Sequence, residues 1–144
     1  MLRKQQNIGQ KALFPEYDKI IATLRSNERQ DLVILIIPSH DKKEEELADQ
    51  DMWASSAMEL FADLFRGATA FHTFAGIYKT EDGKILHDKP ILIESYVQRA
   101  DLEDENILCE LLRFVKRMGK ETSQAAVGLV INSVFHEITD FRDF

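Results

Sequence analysis

The sequence predicts an α+β fold: a ferredoxin-like βαββαβ plait, with two helices on one face of a four-stranded antiparallel sheet and an additional N-terminal helix. Three observations lead there. A β-branched run, LVILIIP at residues 32–38, precedes a segment with apolar residues at helical spacing. Two alternating segments within residues 71–98 flank the turn-forming pair Asp82 and Gly83. A second amphipathic segment then leads into a last apolar, β-branched one. Two strand-helix-strand crossovers around a central hairpin, over roughly residues 31–138, are the arrangement of that plait.

Each element has its own signal. Pro15 and Glu16 suit a first helical turn, and Tyr17, Ile20, Ile21 and Leu24 share one face, giving a helix over residues 15–26. The unbroken apolar run before Pro38 reads as a strand at the centre of a sheet or covered on both faces. The charged stretch SHDKKEEELADQD has no period and reads as a loop or a polar first helical turn. From Asp51, the residues Trp53, Ala57, Leu60, Phe61, Leu64 and Phe65 mark a helix closed by Gly67. Residues 71–79 and 91–98 read as strands, with a bulge or break expected near HDKP. Acidic residues 101–105 open a helix whose core face is Leu108, Leu111, Leu112, Val115 and Met118, ended by Gly119. A final strand is expected over residues 125–138.

At 144 residues the chain has the size of one domain, residues 15–144, preceded by a flexible basic tail at 1–14 that carries Arg3, Lys4 and Lys11 and no acid. With 44% hydrophobic and 30% charged residues, it has the composition of a soluble globule. The 18 basic residues against 25 acidic ones give a net charge of −7, which disfavours a nucleic-acid partner. Cys109 is the single cysteine, so no disulfide forms within the chain and a reducing compartment fits. Its neighbour Glu110 opposes thiolate formation, which speaks against a nucleophilic role. The N-terminus lacks the apolar run of a signal peptide, and the longest apolar run is far too short to cross a bilayer. A cytoplasmic protein with no membrane partner is expected.

Side-chain parity separates the two faces of the expected sheet. Ile91, Ile93 and Val97 would lie under the helices, leaving Leu92, Glu94, Tyr96 and Gln98 opposite. The same rule groups His72, Phe74, Gly76 and Tyr78 on the second strand and Val130, Asn132, Val134 and His136 on the fourth, with Phe135 in the core. The open face would thus gather His72, Phe74, Tyr78, Glu94, Tyr96, Gln98, Asn132 and His136.

Three readings of that surface compete. It is apolar enough to need a cover, and face-to-face pairing into a homodimer supplies one. It could instead form one wall of a pocket for a small-molecule ligand, closed by the N-terminal helix or the charged loop. Or His72, Glu94, Tyr78 and His136 could serve an enzyme as acid/base groups or metal ligands, although none has a compact ligand spacing. A binding or assembly module leads, with the enzyme as the alternative and no cofactor specified.

Other motifs are sparse. The sequence has no GxxxxGK[ST], GxGxxG or GxSxG, so P-loop, Rossmann and lipase-type chemistry lack support. Asp88, Glu94 and Tyr96 match the acidic strand of metal-dependent nucleases only in part, with Tyr96 where such sites place a lysine. Phe74, Tyr78 and Tyr96 would suit base stacking, but Glu81, Asp82 and Glu94 accompany them instead of basic residues. Thr122, Ser123 and Gln124 could offer polar groups at the sheet end or form an ordinary turn.

Overall fold

The computed structural model describes residues 15–144, so the basic segment expected at 1–14 lies outside the described residues. The fold mixes helices with an antiparallel sheet. In chain order the elements are α1 (Pro15–Leu24), β1 (Asp31–Ile37), α2 (Gln50–Phe65), β2 (Thr69–His72), β3 (Gly76–Lys79) and β4 (Ile85–Asp88). Then come β5 (Ile91–Val97), α3 (Arg99–Leu102), α4 (Glu105–Glu121), β6 (Val127–Ile131) and β7 (Val134–Ile138).

The main sheet has five strands in the order β2-β5-β1-β6-β7, not the four expected, and β3 and β4 form a separate two-stranded sheet. Two interruptions explain the difference. The expected strand at 71–79 breaks after His72, where Thr73 directs both its amide (3.3 Å) and its hydroxyl (2.7 Å) to the carbonyl of Pro90. Pro90 has no N–H to return, so the ladder with β5 stops there. The expected strand at 125–138 is instead a hairpin, β6 and β7, with Ile131 opposite Val134 and a two-residue turn at Asn132 and Ser133. Asn132 holds φ 57°, a left-handed conformation that asparagine tolerates well.

The core forms where β1 and β5 turn alternate residues toward α2 and α4. Val33, Leu35, Ile37, Ile91, Ile93 and Val97 cluster with Trp53, Ala57, Phe61 and Phe65 of α2 and Leu111, Phe114, Val115 and Met118 of α4. Trp53 meets Phe114 edge to face, with ring centroids 5.7 Å apart. The left-handed residue that closes α2 is Arg66, one place before the expected Gly67. Asp104 caps α4 by accepting the amides of Asn106 and Ile107, so the acidic run at 101–105 supplies a helix start as expected. The C-terminal segment returns over α4, where the Phe141 ring occupies the space beside Gly119 that a Cβ would need.

α1 adds nothing to this core, and Ile20 and Leu24 are exposed. Among the described residues no helix is long and apolar enough to cross a membrane.

Candidate functional site

The face of the sheet turned away from α2 and α4 is ordered by strand register. One row crosses all five strands: Thr69 lies opposite Glu94, Glu94 opposite Ile34, Ile34 opposite Val130, and Val130 opposite Phe135. A parallel row begins with Phe71 opposite Leu92 and Leu92 opposite Ile36. In a third, Tyr96 lies opposite Leu32. Gly128 keeps this surface smooth, because a Cβ there would lie 2.8 Å from the Phe135 ring and 2.9 Å from Ile36 Cδ1. Leu32, Ile34, Ile36, Leu92 and Val130 are only half-buried, while Phe71, Tyr96 and Phe135 are exposed. Glu94 is the one charged residue in the middle of this surface, and its carboxylate has no hydrogen-bond or ion-pair partner among the described residues.

Of the eight residues expected on this face, the structure keeps Glu94 and Tyr96 together. His72 pairs with Ile91, a core residue, so it belongs to the helix side of edge strand β2, where it is exposed. His136 pairs with Leu129 and also faces the helix side, on the opposite edge strand β7. Phe135 takes the open position assigned to His136, because the turn at Asn132 and Ser133 resets parity. With four strand spacings between β2 and β7, the two histidines are about 19 Å apart and cannot share a metal ion or a substrate atom. Phe74, 94% exposed, lies in the break after β2, and Tyr78 sits on the separate β3-β4 hairpin. Gln98 leaves the face to start α3, where its amide donates to Asp101.

Asn132 is a clamp at the end of the sheet. Its Oδ1 accepts the Leu32 amide at 2.9 Å, and its Nδ2 donates to Asp31 Oδ1 at 3.0 Å. The same oxygen accepts from Arg99 Nη2 at 2.8 Å, which gives the buried Asp31 a charged partner. Thr122 and Gln124 also have structural roles, donating to the carbonyls of Met118 and His40.

A second polar cluster, beyond the end of β1, was not evident from the sequence. The buried Ser39 Oγ accepts the Lys89 amide at 2.8 Å and lies 2.7 Å from His40 Nδ1. Burial raises the Asp88 carboxyl above its ordinary pKa, and the nearby His40 offsets part of that rise. Gly76 permits this packing, since a Cβ there would lie 2.7 Å from Asp88 Oδ1. Beside the cluster, Gln50 Nε2 bridges the carbonyls of Lys89 (3.0 Å) and Ile37 (3.4 Å). An open groove of about 420 Å³ follows, lined by Glu46, Leu47, Ala48, Gln50 and Asp51. Imidazole and carboxyl are the side-chain types most often used for proton transfer to a bound molecule, and this cluster holds one of each. No group of three or more His, Cys, Asp or Glu among the described residues is arranged to hold a metal ion.

No family model and no curated protein matches the sequence. Among solved structures, the chain is similar to a phage SAM lyase in complex with S-methyl-5'-thioadenosine, with TM-score 0.55 and 12% identity over 81% of this chain and 94% of that one. The apo state of phage SAM lyase matches with TM-score 0.53 and 12% identity, over 80% of this chain and 97% of that one. The divalent ion tolerance protein CutA1 from Ehrlichia chaffeensis matches with TM-score 0.37 and 15% identity, over 82% and 89% of the two chains, too low a score to bear on the fold. The likeness to the phage protein is one of fold.

Proposed function

We propose that this chain is a small cytoplasmic binding or assembly module that self-associates through the open face of its sheet, in the simplest case as a homodimer. The scaffold, on this reading, is a single domain built on a ferredoxin-like plait: strands β2-β5-β1-β6 supply its four strands and β7 extends one edge. One observation carries the proposal: Leu32, Ile34, Ile36, Leu92, Val130, Phe71, Tyr96 and Phe135 form a contiguous apolar surface across the sheet, with the Glu94 carboxylate within it and Glu137 at the β7 edge. Contiguous exposed apolar surface of this kind supports the reading of a contact surface, and its burial would have to outweigh the repulsion between two copies of net charge −7. The test is light scattering across a dilution series of the wild type and of Ile34→Asp. Wild type is expected to exceed the mass of one chain and the variant to dissociate with its circular dichroism intact. A wild type that stays monomeric at high concentration overturns the reading.

The likeness to the phage SAM lyase favours a second role, binding of a nucleoside thioether such as S-methyl-5'-thioadenosine. The groove beside Ser39, His40 and Asp88 is the candidate seat, since it places an imidazole and a carboxyl next to a space that a small ligand could enter. Calorimetry with S-methyl-5'-thioadenosine, and incubation with SAM followed by chromatography for that product, test the role. Saturable binding weakened by His40→Ala supports it, and absence of both heat and product contradicts it.

A further inference from the structure

The β3-β4 hairpin is a second surface without a cover. Among the described residues its two strands pair only with each other. Register divides its residues between two sides. Gly76 opposite Asp88 and Tyr78 opposite Leu86 form one side, on which Gly76, Leu86 and Asp88 are half-buried. Ile77 opposite His87 and Lys79 opposite Ile85 form the other, and all four are exposed. That outer side is therefore apolar with basic groups, whereas the open face of the main sheet is apolar with acids, Glu94 within it and Glu137 at one edge.

We infer that the hairpin is an arm that lies on the open sheet face of a second copy of this chain, with Ile77 and Ile85 on the apolar rows and Lys79 paired with Glu94. The inference rests on the self-association reading and names the segment that does the covering. Charge complementarity supports it: among the described residues neither Lys79 nor Glu94 has an ion-pair partner, whereas neighbouring Lys84 is already held by Glu44. The exposed Ile77 and Ile85 show that the arm does not cover its own sheet. Since arm and face are different surfaces, two copies close the contact only by exchanging arms about a two-fold axis; a one-way contact builds a ring or an open filament.

The test is sedimentation velocity over a dilution series with wild type, Lys79→Glu, Glu94→Lys, the double variant carrying both, Ile77→Asp and Ile34→Asp. Circular dichroism checks that each variant folds. Each single charge reversal is expected to raise the dissociation constant roughly tenfold, and the double variant to recover most of that loss. Ile77→Asp is expected to sediment as a folded monomer. If Ile34→Asp dissociates the protein but Lys79→Glu and Ile77→Asp do not, the arm inference fails while self-association stands. A monomeric wild type overturns both.

Discussion

Adjacent residues on one strand have opposite surroundings in this protein. Val33, Leu35 and Ile37 of β1 are fully buried beneath α2 and α4, while Leu32, Ile34 and Ile36, the alternate residues of the same apolar run, are half-buried on the face that no core helix covers. Their chemistry is nearly identical, so hydrophobicity alone does not distinguish a core from a contact surface. The difference lies in what each face meets. The helix side meets Phe61, Phe65 and Met118, whereas the open side surrounds a carboxylate, Glu94, that has no partner among the described residues. An apolar strand run with both parities filled is thus a sign that a second cover exists, and that cover need not belong to the same chain.

The widest separation between the faces is expected from Leu35→Ala and Ile34→Ala in urea denaturation at low protein concentration. Leu35→Ala should cost about 3 kcal/mol through lost burial and a cavity. Ile34→Ala should cost about 1 kcal/mol in the dilute chain, and more as concentration rises. Equal losses when dilute would mean that one chain buries both faces.

The end of the sheet, where both faces meet, gives the next effect. Arg99→Ala removes the charged donor to the buried Asp31 and leaves that oxygen with Asn132 alone, so a loss of about 2 kcal/mol is expected. An unchanged melting temperature would show that the pair contributes nothing.

Two glycines sharpen the contrast further. Gly119→Ala forces the Phe141 ring off α4 and should cost about 1–2 kcal/mol despite the better helix propensity of alanine. Gly128→Ala meets the exposed Phe135 ring on the open face, which can swing outward, so the dilute chain should lose less than about 1 kcal/mol. The reverse order in thermal denaturation would contradict the assignment of the faces.

Asp88→Asn should have the smallest effect. Burial raises this carboxyl in the folded chain, so its ionisation opposes folding. The penalty is absent below the ordinary value of 3.8, grows as pH rises through the raised folded value, and is complete above it. The variant should therefore melt about 1–2 °C higher than wild type at pH 7 and level with it at pH 3. A gain that persists at pH 3 would point to a cause other than ionisation.

Much of the fold was legible because local pattern and tertiary burial agree. The β1 run, the helical spacing from Trp53 to Phe65 and the parity of Ile91, Ile93 and Val97 all appear in the core as expected. The site was less legible, since a parity argument fails wherever a strand is interrupted. Asn132 and Ser133 sit between two apolar stretches and read as continuation, yet together they form a turn that exchanges the faces of Phe135 and His136. The break after His72 depends on the carbonyl of Pro90, a partner 17 residues away, so no window around residue 73 reveals it. The Ser39, His40 and Asp88 cluster is assembled across 50 residues of chain, and each member alone looks like loop polarity.

The most direct test of the central claim is native mass spectrometry of the unmodified protein, compared with its mass after denaturation. An integral multiple of the single-chain mass, returning to one chain on denaturation, is expected. A bare single chain at all accessible concentrations would contradict it, leaving the open face without a second copy to cover it.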